Sequence, residues 1–317
     1  MIANKKILIT GGAGFIGTHL AQSLVGENEL VLFDNYRRDS LTGLDLVGRD
    51  NVTVLKGDVL QPDDLAKAVD GVDIVLHLAA IAGVSSYYEI PLTVLKVNIL
   101  GTVNLLDAAV AAGVKQFVHF STSEVFGSDA MNVTEQDPHG IGPTSDKRWT
   151  YATSKLASEN FVLRYGEEYG FHASCVRPFN VYGPRQTGEG AISNFCTAAL
   201  KGDALTVYGD GNAIRAWCYV SDMVDGVLRV LNTPESAGHS FNIGNAREVE
   251  TTNGLARRIA ATVPGSTVVR KEIDRAEVAG RIPNIEKARK ILRFDPQVDL
   301  EEGLAHTLAW YKETLEV

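Results

Sequence analysis

The sequence predicts an α/β fold: a doubly wound parallel sheet with a smaller mixed α/β lobe at the C-terminal end. In the first half of the chain, short apolar runs alternate with longer segments of helical periodicity. The runs are continuously apolar, as expected for strands that helices cover on both faces. A glycine-rich turn joins the first run to the first helical segment. Repeated strand–helix–strand units build a parallel sheet with right-handed crossovers.

The composition is that of a globular protein of 317 residues, a length typical of about two domains. The formal charge of −9 argues against a nucleic-acid or membrane-surface partner but leaves an anionic substrate open. Cys175, Cys196 and Cys218 form no CxxC pair and adjoin no histidine cluster, which predicts reduced thiols and no metal site. The chain enters a strand directly, and no apolar run reaches the length of a membrane helix, so we expect a cytoplasmic protein.

The first half supplies the elements of the parallel sheet. Strands are predicted at 6–10, 30–33, 52–55, 73–76 and 116–120, with helices at 15–25, 63–69 and 92–112.

The pattern becomes less regular after about residue 180. Short strands are predicted at 205–208, 241–243 and 267–270, with helices near 191–201, 221–232, 252–262 and 301–314. We therefore divide the chain into a first domain, 1–180, and a second lobe, 181–317, interleaved with the first.

The turn after the first strand carries Gly11, Gly14 and Gly17 in a GxxGxxG spacing. The first glycine permits a tight turn, the second lets a pyrophosphate approach the backbone, and the third allows close helix packing. The N-terminus of the following helix offers free N–H groups to phosphate. This strand–turn–helix setting predicts a dinucleotide site.

Two acidic residues at strand ends extend that site. Asp34 closes the second strand 20 residues after Gly14, where a carboxylate accepts hydrogen bonds from the adenosine ribose and favours NAD over NADP. Arg37 and Arg38 follow closely and weaken that preference. Asp58 ends the third strand, where it either reaches the adenine amine or caps a helix.

A Tyr151-xxx-Lys155 pair marks a predicted helix, and residues four apart share one helix face. A tyrosine with a pKa near 10 is a poor base at neutral pH, but a neighbouring ammonium and an oxidised nicotinamide would both lower it. Tyr151 could then take a proton from a substrate hydroxyl while hydride leaves the same carbon for NAD.

The fifth strand ends in hydroxyl and carboxylate side chains, at the sheet edge where ligands bind in doubly wound folds. Thr122, Ser123 and Glu124 are therefore candidate catalytic residues, with helix capping as the alternative role.

These motifs resemble the extended short-chain dehydrogenase/reductase family of nucleotide-sugar epimerases, dehydratases and decarboxylases. The resemblance covers nearly the whole chain and includes the segments 11–17, 77–80, 98–102, 121–127 and 177–185, besides Tyr151 and Lys155. It implies a Rossmann-like NAD domain, a C-terminal nucleotide-sugar lobe, and transient oxidation of the sugar at C4. It also implies a homodimer built from helices near 92–112 and 150–169.

The resemblance also implies site residues. For NAD these are Gly11, Gly14, Phe15, Ile16, Gly17, Asp34, Asn35, Asp58, Val59, Leu78, Ala79, Ala80, Asn98, Tyr151 and Lys155. For a nucleotide sugar, most simply a UDP-sugar, they are Tyr87, Asn180, Ile192, Tyr208, Arg215 and Arg281, the last also able to face a sugar carboxylate. His77 is interpreted as structural.

The fate of the 4-keto sugar depends on the run Thr122-Ser123-Glu124. Dehydratases of the family typically carry Thr-Asp-Glu there, and simple 4-epimerases usually lack the glutamate. Thr-Ser-Glu resembles UDP-glucuronate decarboxylases, as do Tyr87 and the segment 147–149, so decarboxylation is the leading hypothesis.

Two departures keep a 4-epimerase as the first alternative and a 4,6-dehydratase as the second. Ala82-Gly83-Val84 resembles glucuronate 4-epimerases rather than the proline-containing loop of decarboxylases, and an arginine common in the decarboxylase binding loop is absent near Ala191. A non-catalytic NAD sensor is a remote alternative, because such proteins commonly lose the Tyr-Lys pair.

Overall fold

The computed structural model describes residues 2–272 and 278–315. A seven-stranded parallel sheet, in the order β12-β7-β5-β4-β1-β2-β3, forms the centre of the described part. Its strands are β1 (Lys6–Thr10), β2 (Glu29–Asp34), β3 (Val52–Lys56), β4 (Ile74–His77), β5 (Gln116–Phe120), β7 (His172–Pro178) and β12 (His239–Ile243). The predicted doubly wound sheet is confirmed.

Helices cover both faces of this sheet. On one face lie α1 (Phe15–Leu24), α8 (Val220–Asn232) and α10 (Glu286–Leu292), packed on inward residues such as Ile7 and Ile9. On the other lie α2 (Pro62–Ala68), α5 (Gly101–Ala112) and α6 (Thr150–Tyr169), packed on Leu8 and its neighbours. Successive strand residues thus enter opposite cores, which explains the continuous apolar runs.

The predicted helix at 92–112 consists of α4 (Pro91–Leu95), a π-helical turn (Lys96–Leu100) and α5, preceded by the short α3 (Val84–Glu89). By length and composition alone, residues 91–112 could cross a membrane, with a mean hydropathy of 1.5. They instead pack against α2, α6 and the sheet core, as one helical layer of the fold.

The second lobe contains small sheets. Four strands form the order β13-β10-β15-β6, and the pairs β14-β9 and β11-β8 are parallel. The bounds of its elements are β6 (Asp129–Val133), β8 (Val181–Tyr182), α7 (Ala191–Lys201), β9 (Leu205–Tyr208), β10 (Ile214–Ala216), β11 (Cys218–Tyr219), β13 (Val249–Thr251), α9 (Thr252–Thr262), β14 (Val268–Lys271), β15 (Gly280–Pro283) and α11 (Leu300–Thr314).

The chain passes repeatedly between the two lobes. β6, from the first half of the sequence, pairs with β15, whereas β12, from the second half, is an edge strand of the large sheet. The division of the chain at residue 180 therefore stays a prediction, because a strand from each side of it pairs with strands of the other lobe. The sequence does not predict β6, β7, β8, β10, β11, β13 or β15, of which six are short and β7 contains polar residues, including the buried Arg177.

Candidate active site

A cavity of about 380 Å³ opens at the carboxyl ends of the central strands. Its lining includes the glycine turn, the ends of β2 and β4, and α6. Fourteen of the residues predicted to bind NAD line it: Gly11, Gly14, Phe15, Ile16, Gly17, Asp34, Asn35, Asp58, Val59, Leu78, Ala79, Ala80, Tyr151 and Lys155.

The glycine turn has no room for side chains. A Cβ on Gly17 would stand 2.3 Å from the carbonyl oxygen of Gly11. Gly11 itself has φ +73°, and a Cβ there would lie 2.9 Å from the backbone nitrogen of Ala79. The turn is consequently pressed against the loop that follows β4, with its backbone open to the cavity, as a pyrophosphate requires.

Asp34 ties the glycine turn to the end of β2. Its carboxylate accepts hydrogen bonds from the backbone N–H of Ala13 (3.0 Å) and of Tyr36 (2.8 Å). Burial raises the pKa of this carboxyl, partly opposed by these backbone hydrogen bonds. A fixed acid beside a glycine-rich turn fits the adenosine ribose of a dinucleotide.

Asn98 does not line the cavity, contrary to its predicted contact with the cofactor. Its side chain is 1% exposed, accepts a hydrogen bond from Ile81 N (2.8 Å) and donates one to Ser154 Oγ (3.0 Å). It thereby ties the loop after β4 to α6, because a buried amide must satisfy its own hydrogen bonds first. Asn98 therefore supports the cavity wall through residues that it contacts, without contacting the cavity itself.

Tyr151 and Lys155 both line the cavity from α6. Lys155 Nζ donates to the carbonyl oxygen of Phe120 (2.6 Å), at the end of β5, and burial lowers its pKa to about 7. Burial raises the pKa of the Tyr151 phenol, the charge of Glu124 raises it further, and a hydrogen bond with Thr122 opposes both. The Lys155 side chain is thus held by the end of β5, and its predicted effect on the pKa of Tyr151 stays a prediction.

The turn after β5 holds the other catalytic candidates. Thr122 lines the cavity and caps the 3₁₀ turn Ser123–Phe126 by accepting a hydrogen bond from Glu124 N (3.2 Å). Ser123 and Glu124 lie outside the cavity lining. The Glu124 carboxylate is instead paired with Arg148, at 2.6 Å to Nη1 and 3.2 Å to Nη2.

Two predicted substrate residues lie near Tyr151 and this turn. Tyr87 is 2% exposed, and its ring stacks on that of Tyr151, with centroids 5.1 Å apart and planes 7° apart. Arg281, on β15, is 3% exposed and donates from Nη1 to Ser123 O (2.5 Å) and from Nη2 to Gly127 O (3.1 Å). Arg281 thus holds the backbone of the turn that carries Glu124.

The other four predicted substrate residues lie further along the second lobe. Asn180 has φ +40° and donates to Ala216 O (2.9 Å), which places it next to the strand of Arg215. Ile192 is buried in α7, which packs on β9. Tyr208 ends β9 and is 47% exposed.

Sequence reasoning missed several residues around the cavity. Gln186, Thr187 and Glu189 line it, and Arg148 holds Glu124, whereas Arg37 and Arg38, which also line it, are placed beside Asp34 by the sequence. Only Arg148 carries a usable signal, its place three residues before Tyr151 and next to a buried tryptophan. The other three come from the loop between β8 and α7, which no local sequence pattern connects with the cavity. Among the described residues, no group of histidine, cysteine and acidic side chains could hold a metal ion.

Comparison with known proteins agrees with this arrangement. Residues 7–244 match the model of the NAD dependent epimerase/dehydratase family. The chain is 36% identical to a UDP-N-acetyl-alpha-D-glucosaminuronate decarboxylase of Bacillus cytotoxicus, over 98% of each chain. It is 34% identical to UDP-glucuronic acid decarboxylase 5 of Arabidopsis thaliana, over 95% of this chain and 88% of the relative.

Solved structures of similar proteins superpose over nearly the full length. The epimerase Mth375 of Methanothermobacter thermautotrophicus gives a TM-score of 0.90 at 28% identity, covering 99% of this chain and 94% of that one. The UDP-glucuronic acid 4-epimerase of Bacillus cereus, solved with UDP-glucuronic acid and NAD, gives 0.88 at 29% identity, covering 98% and 99%. The fold, the glycine turn and these likenesses together show that the chain belongs to the NAD dependent epimerase/dehydratase family.

Proposed function

We propose that this protein is an NAD-dependent decarboxylase of a UDP-linked uronic acid, with UDP-glucuronate as the first substrate to test. The observation that carries the proposal is the catalytic turn itself, where Glu124 lies beside Tyr151 between two buried guanidinium groups, Arg148 and Arg281. Two cations and one carboxylate leave a net positive charge, which suits a sugar carboxylate.

The chemistry follows from placing a ketone beside that carboxylate. NAD, when bound, accepts hydride from C4 of the sugar. Tyr151 takes the proton of the C4 hydroxyl, and Thr122, hydrogen-bonded to the phenol, orients it. The sugar is then a β-keto acid, whose C5–carboxylate bond breaks with loss of carbon dioxide and leaves its electron pair in an enolate. In this proposal Arg281, which holds the backbone of the turn, would supply positive charge to the substrate.

The two curated relatives differ at C2 of the sugar, so the test includes both of their substrates. The protein would be incubated with NAD and with UDP-glucuronate or UDP-N-acetylglucosaminuronate, each labelled with ¹³C at C6, and followed by NMR. Loss of the label as carbon dioxide or bicarbonate, with a UDP-pentose or UDP-4-keto-pentose as product, is the expected outcome. Retention of the label with both sugars would contradict decarboxylation.

A 4-epimerase acting on the same uronic acids is the second candidate. The specific feature that favours it is the loop 82–84, which resembles glucuronate 4-epimerases. Here Gly83 has φ +115°, and its N–H donates to the Tyr87 hydroxyl (3.2 Å). A loop that grips Tyr87 in this way borders the sugar subsite. The labelled experiment separates the two reactions, because an epimerase returns UDP-galacturonate with its C6 label intact.

We also propose that the protein is a cytoplasmic homodimer. The helices α4 and α6, with the π-helical turn before α5, leave large apolar side chains exposed on one layer: Leu92 (62%), Leu100 (50%), Phe161 (40%) and Tyr169 (53%). Such a patch on a helical layer suits association with a second copy. The cysteines of the described residues are free and buried, as suits a reducing compartment. Leu100→Glu should convert the dimer to a monomer in light scattering, whereas Val249→Glu, an exposed residue on β13, should not.

A further inference from the structure

Arg148 contributes positive charge to the proposed site, but the proposed chemistry gives it no role toward Tyr151. It lies in the 3₁₀ turn Lys147–Trp149, directly before α6, with its side chain 7% exposed. Its guanidinium forms a two-pronged ion pair with Glu124 and also lies 5.6 Å from the ring centroid of Tyr87. Because the Tyr87 ring stacks on Tyr151, Arg148 adjoins two neighbours of the catalytic tyrosine.

We propose that Arg148 is a positioning residue that acts through Glu124: it fixes the carboxylate in the catalytic turn and balances its charge beside Tyr151. The inference rests on the proposed role of Tyr151 as the base, but not on whether the sugar is later decarboxylated or epimerised.

The physical argument begins with the cost of burying Glu124. An unpaired buried carboxylate is strongly unfavourable, and a planar guanidinium matches its two oxygens while keeping its own proton. The side chain of Glu124 is 18% exposed and lies in the turn between Thr122 and Gly127, whose backbone is held by Arg281. Arg148 therefore fixes the position of the Glu124 carboxylate, while Arg281 fixes the backbone of the turn that carries it.

The second step concerns the charge that Tyr151 senses. The charged or titratable groups that act on it or surround it are Glu124, Arg38, Lys155 and Tyr87, with Arg148 and Arg281 behind Glu124. Among these, Glu124 raises the pKa of the phenol and so opposes its loss of a proton. The Arg148 guanidinium, paired with Glu124, offsets this rise in the pKa of the phenol. Without Arg148, the negative charge of Glu124 would act on Tyr151 without compensation.

The test compares Arg148→Met, Arg148→Lys, Glu124→Gln and the double variant Glu124→Gln/Arg148→Met, all as NAD-loaded enzyme. C4 oxidation is followed by absorbance at 340 nm and product by NMR. We expect Arg148→Met to lower kcat about 10- to 100-fold, the loss expected for a hydrogen bond to a charged group, with KM nearly unchanged. The acidic limb of the kcat–pH profile should move upward by about one unit, the usual size of a nearby-charge effect.

The remaining variants separate positioning from a structural role. Arg148→Lys keeps the charge without the two-pronged geometry, so it should keep the wild-type pH limb and recover part of kcat. In the Glu124→Gln background, adding Arg148→Met should move the limb by clearly less than it does in the wild-type background, because there is no carboxylate left to hold. Arg177→Met, which breaks the other buried ion pair, with Glu159, should lower stability without moving the limb.

Two results would overturn the proposal: an Arg148→Met limb identical to the wild type, or an equal shift in the Glu124→Gln background. If Arg148→Met fails to fold, the double variant, which leaves no unpaired charge, is compared with Glu124→Gln alone. A limb about one unit higher in the double variant overturns the proposal, and a clearly smaller shift supports it. A wild type that oxidises C4 but releases no carbon dioxide contradicts decarboxylation and leaves this test intact. A wild type that oxidises no UDP-sugar contradicts the proposed function itself, and crystal structures of the variants then test the role of Arg148. A Glu124 side chain displaced in Arg148→Met but not in Arg148→Lys supports that role. A Glu124 side chain that stays in place in Arg148→Met overturns it.

Discussion

Arg215 and Arg281 are register partners on adjacent parallel strands, β10 and β15, yet their guanidinium groups bind different parts of the molecule. Arg281 donates to Ser123 O and Gly127 O, in the catalytic turn. Arg215 donates to Ile214 O and Val278 O, both at 2.9 Å, within the second lobe. The strand pair therefore connects the turn that would act on the sugar with the lobe that would hold its nucleotide.

This difference predicts different kinetic defects for the two arginines. Arg281→Met should lower kcat by about 10- to 100-fold, because it frees the turn that carries Glu124 and removes a buried positive charge that holds this turn. Arg215→Met should raise KM for the UDP-sugar by a similar factor and leave kcat within about threefold, as expected when uniform binding is lost. Steady-state kinetics with the sugar identified by NMR measures both. Equal losses of kcat in the two variants would contradict the assignment.

Tyr151→Phe is the direct test of the proton transfer. The change removes one hydroxyl that contacts Thr122 and leaves the ring that stacks on Tyr87. We expect C4 oxidation to fall by at least about 10³-fold, the upper range for loss of a general base, while NAD remains bound. Single-turnover absorbance at 340 nm measures the oxidation, and the absorbance of released cofactor after denaturation measures NAD. An active Tyr151→Phe enzyme would remove Tyr151 from the mechanism.

Gly17→Ala should abolish cofactor binding by closing the glycine turn. The added methyl would lie 2.3 Å from Gly11 O, a backbone atom that cannot move aside cheaply. We expect NAD affinity to fall by at least about 100-fold, as binding needs the close backbone approach that the turn permits. Isothermal titration measures the affinity. Gly26→Ala, where nothing lies within 4 Å of the new methyl, is the matched control and should bind NAD as the wild type does.

The sequence predicts the parts of this site that depend on local patterns. The glycine turn, Asp34 and the Tyr151–Lys155 spacing are each readable within a few residues, and the structure brings them to one cavity. Arg148 with Glu124 was not predicted, because the pair joins residues 24 apart that meet only when α6 packs beside the end of β5. The same holds for β10 and β15, whose pairing comes from the tertiary fold.

His77 should make the folded protein sensitive to acid. Thr102 donates its hydroxyl proton to Asn98 O, so it accepts from His77 Nε2 (2.9 Å), and Nδ1 accepts from Thr10 Oγ1 (2.7 Å). Burial lowers the pKa of His77 to about 3, from 6.5 when exposed. The unfolded chain thus binds more protons between these values, and stability falls as pH drops from 6.5 toward 3.

His77→Gln removes that titration. The wild type should lose up to about 1.4 kcal/mol of unfolding free energy per pH unit through this group, and the variant should lose less over the same interval. Urea unfolding at several pH values between 4 and 7 measures the difference, with equal m-values as the check on two-state behaviour. Parallel pH dependence in both proteins would show that His77 does not titrate in this range on unfolding.

Arg185 should control how firmly the cofactor is held. Ser40 Oγ donates to Arg185 O (2.8 Å), and Arg185 Nη1 donates back to Ser40 O (2.9 Å) and Thr42 O (3.2 Å). These bonds join the loop after β2 to the segment whose Gln186 and Thr187 line the cavity. Because a ligand enclosed by joined loops must wait for them to separate, breaking the bonds should speed its release.

Arg185→Ala removes two of these hydrogen bonds, each worth about 1 kcal/mol, so NAD dissociation should be about 10-fold faster or more. Stopped-flow displacement measures the rate, with Arg229→Ala, which breaks an exposed ion pair on α8, as the control expected to retain the wild-type rate. An Arg185→Ala protein that releases NAD at the wild-type rate would show that these bonds do not limit cofactor exchange.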